Sequence, residues 1–368
     1  MRHVTQTDIA KALGLSPSTV GLVVGNNRSP LRKHLNKETV RRIEEKAKEL
    51  GYQPNRAAQV MRGSRTNLII FLNMGSRAEW VQRQAYQIGM LAHELGYDFQ
   101  VIDAYWWVIK GNRITDQIIA MRPEGVVISG TPQAEDMDFL RFRQAKIAVV
   151  TLDLKLPEIP RVRHDVESAI FELTSSCIAA GRNRIALIVR KGSQELWQVT
   201  ERRQGFVRAL REAGKPLPAE WDVPSFDSKR FDGGNLILND VASPTLFSPF
   251  EPGYRTAQCL GTAVDACIFA NDPYAFGALS YYLRNKIRVP GQITLSGFDN
   301  LSYTTEGSVP ITTVEFPTEL MCRKAMKLLI AQIDGSPLGA EDHVFPCKII
   351  WRQSMRKPRV AKPSRSPQ

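Results

Sequence analysis

Five histidines (His3, His34, His93, His164, His343) and five cysteines (Cys177, Cys259, Cys267, Cys322, Cys347) are the residues best able to ligate a metal or act as nucleophiles. Their spacing suits neither task. The histidines lie far apart without ligand spacing, and the chain has no C-x-x-C, H-E-x-x-H, G-x-S-x-G, P-loop or G-x-G-x-x-G. The odd, scattered cysteine count fits the reduced thiols of a cytosol and argues against a disulfide framework or a zinc site. The expectation is a protein that binds rather than an enzyme, with no cofactor and no metal.

Charge points to one kind of partner. The chain has 368 residues and a formal balance of +12. Residues 1–65 carry +8 and residues 352–368 carry +6, whereas the 286 residues between them carry −2. A basic head and a basic tail around a neutral body suggest a polyanion, usually nucleic acid. The plain alternative is that surplus Lys and Arg only aid solubility. Hydrophobic residues make up 43% and charged residues 23%, an ordinary globular composition. Apolar runs such as 68–72 fall far short of the ~18 residues that span a bilayer. The start, MRHVTQTDIA, has charge at once and no apolar stretch. The expectation is a cytoplasmic protein with no membrane partner.

Three short helices must present the basic head. Thr5 with Asp8 reads as a capping box, Ile9, Ala10 and Leu13 give one apolar face, and Gly14 is a stop. Ser16 is a second N-cap with Pro17 in the first helical position, Val20, Val23 and Val24 supply the apolar face, and Gly25 ends it. Asn36 opens a third helix with Val40, Ile43, Ala47 and Leu50 on one side and Gly51 at its close. Helix, tight turn, helix and a supporting third helix form a unit that none of them could form alone.

The run Val4-Thr5-x-x-Asp8-Ile9-Ala10-x-x-Leu13-Gly14-Leu15-Ser16-x-x-Thr19-Val20, followed by Gly51-Tyr52-x-Pro54-Asn55-Arg56-x-Ala58, resembles the head of the LacI family of transcription regulators. The resemblance implies that the second helix enters the major groove of DNA. Pro17, Ser18 and Leu22 would hold the base-reading positions, and Thr5, Ser16 and Thr19 the phosphate contacts. Gly21-Leu22 departs from the family's usual Ser-Arg. Leucine offers apolar contact, for instance to a thymine methyl, but no bidentate bond to guanine, so the usual operator is not expected. Residues 28–35 read longer than the family's turn and carry Arg28, Arg32, Lys33 and His34, which would add phosphate contacts. Asn55 to Arg62, with Ala58, resemble the family's hinge helix. Met61 stands where the family wedges a leucine into the minor groove. The competing reading has Val60 and Met61 only capping the third helix.

From Asn67 on, β-rich runs alternate with helical patterns. Strands are expected at 68–73, 98–102, 125–129, 147–152, 184–189, 265–270 and 293–297. Helices are expected at 80–95, 114–121, 166–180, 200–213 and 274–284. The rhythm predicts an α/β fold with parallel sheets, right-handed crossovers and a ligand beyond the carboxyl ends of the strands. The resemblance continues through Ala179-Ala180-Gly181-Arg182-x-Arg184-Ile185-Ala186, Arg202-x-x-Gly205-Phe206, Ala270-Asn271-Asp272, Ala275-x-Gly277-Ala278, Val289-Pro290, Ser296-Gly297-Phe298-Asp299 and Ile311-Thr312-Thr313-Val314. It implies a domain similar to periplasmic sugar-binding proteins, two lobes around a cleft joined by three crossings.

The expected division is a helix-turn-helix domain at 1–53, hinge helix and linker at 54–65, a two-lobed effector and dimerisation domain at 66–356, and a basic tail at 357–368. Within the body the N-lobe would take about 66–163 and 297–325, the C-lobe about 164–296 and 326–356. Arg202 and Asp272 hold family effector positions and Asp153 aligns with a third. Carboxylates and guanidinium groups bond hydroxyl pairs well. Their bland reading is mutual pairing or helix capping. Phe247, Phe250 and Trp197 are candidates for stacking on the effector, with Trp80 as a further one, although such aromatics more often pack a core than meet a ligand. The doublet Trp106-Trp107 and the long 221–248 segment have no assigned role.

Together these readings describe a ligand-responsive, sequence-specific regulator, expected to be a repressor. It would act as a homodimer or higher on a roughly palindromic double-stranded DNA operator, with a sugar as the expected effector. The alternative is a soluble carbohydrate-binding module without specific DNA binding. If the 28–35 insert meets phosphates, Arg32→Ala with Lys33→Ala will weaken DNA binding and flatten its salt dependence in a titration across ionic strength. Unchanged affinity and slope would remove the insert from the interface.

Overall fold

The computed structural model describes residues 4–24, 35–53, 66–74, 78–104, 113–130, 139–190, 197–222, 226, 231, 233–240, 249–337 and 339–357. Two compact units divide the chain, 1–68 with 122–124 in one and the remainder in the other.

In the first unit α1 (Gln6–Leu13), α2 (Pro17–Val24) and α3 (Lys37–Glu49) surround a small core. Both halves of the capping box form: the Asp8 N–H donates to Thr5 Oγ1 at 3.3 Å, and the Thr5 N–H to Asp8 Oδ2 at 2.8 Å. Gly14 stops α1 at φ 68°, a left-handed conformation that favours glycine. Ser16 Oγ accepts the Thr19 N–H at 3.1 Å and Asn36 Oδ1 that of Glu38 at 2.9 Å, so α2 and α3 are capped as the sequence predicts. Ile9, Ala10, Val20, Val23, Ile43 and Ala47, two from each helix, are buried together. Each helix thus hides the apolar stripe it could not hide alone.

The body holds two parallel sheets. The first has the order β12-β5-β4-β3-β1-β2, from β1 (Leu68–Met74), β2 (Asp98–Asp103), β3 (Gly125–Gly130), β4 (Ala148–Leu152), β5 (Arg161–Asp165) and β12 (Asp342–Pro346). α4 (Glu79–Glu94), α5 (Arg113–Met121), α6 (Leu140–Gln144) and α11 (Thr318–Ile333) accompany it. The second has the order β10-β9-β6-β8-β7, from β6 (Ile185–Arg190), β7 (Ala219–Asp222), β8 (Leu236–Asp240), β9 (Ala266–Phe269) and β10 (Thr294–Ser296). Its helices are α7 (Val166–Ala179), α8 (Trp197–Glu212), α9 (Glu251–Leu260) and α10 (Asp272–Arg284). A short antiparallel pair, β11 (Thr313–Glu315) with β13 (Lys348–Ile350), stands apart. The inner strands β1, β3 and β4 are apolar on both faces because helices cover both, which is why they read as unbroken runs.

The lobe boundaries differ from the sequence division. Val309, Ile311, Val314 and Phe316 pack into the second sheet's cores, so 297–316 belongs with the second lobe. All of α11 packs on the first sheet through Met321, Cys322, Ala325, Met326, Leu328 and Leu329, and β12 pairs with β5. The first lobe therefore regains the chain at about 317 and keeps it to 346, rather than ending at 325. No periodicity marks such a boundary, since a helix buries one apolar stripe equally well on either sheet.

Close helix contact explains two of the motif glycines. A Cβ on Gly205 would run into the Glu167 carbonyl oxygen of α7, and one on Gly277 into that of Phe250 at the start of α9. Backbone cannot yield as a side-chain end can. Gly277→Ala will therefore lower stability by about 3 kcal/mol, by analogy with overpacked cores, measured by urea melting.

Candidate functional site

Three chain crossings place Asp153, His164, Phe316 and Cys347 where the two lobes meet. Asp153 follows β4 in a left-handed conformation, φ 58°, and is 2% exposed. Its Oδ1 accepts the His164 backbone N–H at 3.2 Å and lies 2.6 Å from the ring Nδ1. Its Oδ2 accepts from Gln84 Nε2 at 3.2 Å, and Gln84 Oε1 accepts from Ser129 Oγ at 2.5 Å. The Asp153 carbonyl faces the other lobe and accepts from Trp197 Nε1 at 2.7 Å and from Gln198 Nε2 at 3.2 Å, both at the start of α8. The Arg163–Glu201 ion pair at 2.9 Å adds a second bridge, and Asp342 of β12 holds Arg163 and Arg161 from behind.

Arg202 lies one turn further along α8 and is 8% exposed. Its Nη1 donates to the Gln198 carbonyl and its Nη2 to that of Ala270, both at 3.2 Å. Its guanidinium sits 4.6 Å over the Phe298 ring. Nε has no partner among the described residues. Burial lowers its affinity for its proton, and nearby Asp299 works the other way. Asp299 follows β10 at φ 111°. Burial and then the neighbouring Asp272 push its carboxyl well above the usual range, against the pull of Arg202 and Arg83. With Trp80, Arg83 and Tyr86 of α4 and with Phe316, it borders a cavity of about 570 Å³. On that side Arg83 donates to the Asn300 carbonyl at 2.9 Å, and Glu79 accepts from Ser302 Oγ at 3.1 Å.

The predicted residues divide into groups. Asp153, Trp197 and Arg202 come together. The Trp197 ring, however, is committed to a strut: Arg161 and Arg163 lie 5.0 and 5.3 Å from its centroid while its N–H reaches Asp153. Asp272 is 0% exposed. Both its oxygens are occupied, by Thr313 Oγ1 at 2.6 Å and the Leu301 N–H at 2.8 Å, so it clamps the 297–313 segment to α10 instead of facing a ligand. Phe250 packs on Phe276 and Tyr303 at 5.1 and 5.5 Å. Phe247 and the Trp106-Trp107 doublet lie outside the described residues. Sequence reasoning passed over His164, Gln84, Gln198 and Asp299. Asp299 had a signal, the Ser296-Gly297-Phe298-Asp299 block after a strand. Gln84 had none, being 69 residues from the carboxylate it bonds.

In the head, Thr5, Ser16, Pro17 and Ser18 are exposed and Thr19 and Leu22 half-buried. Pro17 and Ser18 thus occupy the accessible N-terminus of α2. Gly21 faces α1, where a Cβ would come within 3.3 Å of Gln6 Oε1. Arg28, Arg32, Asn55, Ala58 and Met61 lie outside the described residues, as does the tail beyond 357.

A protein-family profile described as a periplasmic binding protein-like domain matches residues 174–355. The transcriptional repressor CytR of Escherichia coli K12 is 25% identical over 353 residues, covering 96% of each chain. The transcriptional regulator CelR of Thermobifida fusca is 25% identical over 362 residues, covering 96% of this chain and 98% of its own. Among solved structures, the Lac repressor dimer bound to operator and an anti-inducer superposes with a TM-score of 0.74 at 20% identity, covering 96% of this chain and 100% of that one. The CelR–cellobiose complex does so with a TM-score of 0.62 at 21% identity and the same coverage.

Burial pushes the Asp272 carboxyl from its ordinary 3.8 up to about 7. The folded state then holds its proton more tightly than the unfolded chain, so stability is lost as pH rises between those values. Asp272→Asn can still accept from Leu301 and meet the Thr313 hydroxyl, but does not titrate. In urea melts the variant will gain on the parent as pH rises from about 4 to about 7. A constant difference would mean that the carboxyl titrates normally.

Proposed function

The chain belongs to the LacI family of transcriptional regulators, and on that premise we propose that it is a sequence-specific DNA-binding repressor governed by a small ligand of the sugar type. The observation that carries the reading is the joining of a capped helix-turn-helix head to a two-lobed body, over nearly the whole length of relatives named as repressors. The protein is a regulator, not an enzyme.

In this reading α2 lies in the major groove. Pro17, Ser18 and Leu22 meet base edges, and Thr5, Ser16 and Thr19 meet phosphates. Arg28 and Arg32 add backbone contacts. Residues 54–65 form the hinge, with Asn55 and Ala58 on DNA and Met61 as the wedge. Two chains pair, as in the Lac repressor dimer, so the operator is roughly palindromic. The ligand sits between the lobes against Arg202 and near Asp153; a sugar is the expected class, and the similar CelR structure is named as a complex with cellobiose. The protein works in the cytoplasm, and no helix among the described residues is long and apolar enough to cross a membrane.

Ligand shifts the lobe angle, and this changes the spacing and order of the paired hinges. That two-state element couples cleft to DNA. Footprinting of the full chain will show a symmetric site, and removal of residues 1–62 will abolish it. Arg202→Met keeps the bulk over Phe298 but loses the donors. It will keep the ligand-free footprint and weaken ligand binding about 100-fold, as loss of charge-assisted bonds implies. Binding to DNA that is blind to sequence and weakened by salt would sink the proposal.

A further inference from the structure

We propose that Gln6 is a base-reading residue that selects adenine at one position in each half of the operator. This rests on the reading of α2 as the helix in the major groove, and it adds a side chain of α1 to the reading surface.

The surface is set by the side of α2 that the head leaves open. Val20 and Val23 are buried in the core of the head. Pro17, Ser18, Gly21 and Leu22 share the other side, with Gly21 in its middle. Glycine inside a helix is less stable than alanine, and here it leaves a gap among the reading positions. The gap is filled from α1. A Cβ on Gly21 would lie 3.3 Å from Gln6 Oε1, 3.8 Å from Cδ and 3.9 Å from Nε2, so the whole carboxamide rests on α2 at this point.

The amide is also free to bond DNA. Gln6 is the first residue of α1. Thr5 and Asp8 beside it are spent on each other: Thr5 Oγ1 donates to Asp8 Oδ2 at 2.7 Å, and the two backbone bonds complete the capping box. Gln6 is half-buried, and its amide has no hydrogen-bond partner among the described residues.

The surface needs such a group. Pro17, Gly21 and Leu22 carry no polar side chain, and Ser18 has a single hydroxyl. None of the four can bond a base edge with two adjacent groups. A carboxamide holds an acceptor and a donor side by side. Adenine shows the matching pair in the major groove: Gln6 Oε1 accepts from the N6 amino group, and Nε2 donates to N7. Guanine offers two acceptors there, cytosine a donor, and thymine an acceptor beside a methyl group, so none of them meets both halves of the amide.

The test uses the full chain. Selection from randomised duplex DNA gives the preferred site, and titrations compare it with duplexes altered at single base pairs. The parent prefers adenine at one position in each half-site. Gln6→Leu keeps bulk against Gly21 but has no amide. It binds the selected site about tenfold more weakly per half-site, no longer discriminates at that position, and binds unrelated DNA as the parent does. Gln6→Glu has a carboxylate that only accepts, and it moves the preference at that position from adenine to cytosine, whose N4 amino group donates.

A Gln6→Leu variant that discriminates as the parent does overturns the proposal. So does equal weakening on every sequence, which marks a phosphate contact or a damaged head rather than a base contact. If the parent selects a site and only the Gln6 outcomes fail, α2 still reads DNA and Gln6 alone is removed from the surface. A parent that selects no site counts against the reading of α2 and takes this proposal with it.

Discussion

The carboxylate of Asp153 is used by its own lobe and its carbonyl by the other, and the body's two-lobed arrangement depends on that division. The left-handed turn at Asp153 ends β4 and leaves the carbonyl to Trp197 and Gln198 of α8. Such a conformation costs a non-glycine residue about 1 kcal/mol or more, and the bonds on both sides of the residue hold it. Each of those bonds contributes about 1 kcal/mol net. With the Arg163–Glu201 pair, the interlobe links on this side total a few kcal/mol. That is the scale on which a ligand's preference for one lobe angle can move an equilibrium.

The second lobe meets the same place with buried charge that is only partly compensated. Arg202 is held by two carbonyls and an aromatic face, and among the described residues no carboxylate is in ion-pair contact with it. Asp299, the acid that acts most strongly on it, is itself held toward its neutral form by burial and by Asp272. Asp272 in turn spends both oxygens binding the 297–313 segment to α10. Buried polar groups that are left short of partners are costly, and they concentrate where a polar guest can satisfy them.

Much of this was legible from residue order. Caps at Thr5, Ser16 and Asn36, stops at Gly14 and Gly51, and apolar stripes on three helices are local signals, and the head formed as they indicate. The apolar runs of β1, β3 and β4 announced buried parallel strands. β5 is not legible, because Arg-Val-Arg-His-Asp is too charged to read as a strand; its charges are used at the lobe junction. α11 buries one apolar stripe on the first sheet, and such a stripe in the sequence does not say which sheet it covers. Asp272 holds a position that the family resemblance assigns to the effector, yet its side chain turns inward to bond residues 29 and 41 positions away.

The sequence by itself determined the helix-turn-helix head, the alternating α/β body, the separation of basic ends from a neutral middle, and the absence of catalytic motifs. Each of these is a matter of composition or of spacing along a few turns of chain. Only the tertiary structure decided which lobe owns residues 297–346, and that Asp272 is a clamp and Trp197 a strut. The physical reason is that a side chain's task follows from the direction in which its polar atoms point. That direction is set by partners such as Gln84 and Asp153, 69 residues apart in the chain and joined only when the sheets form.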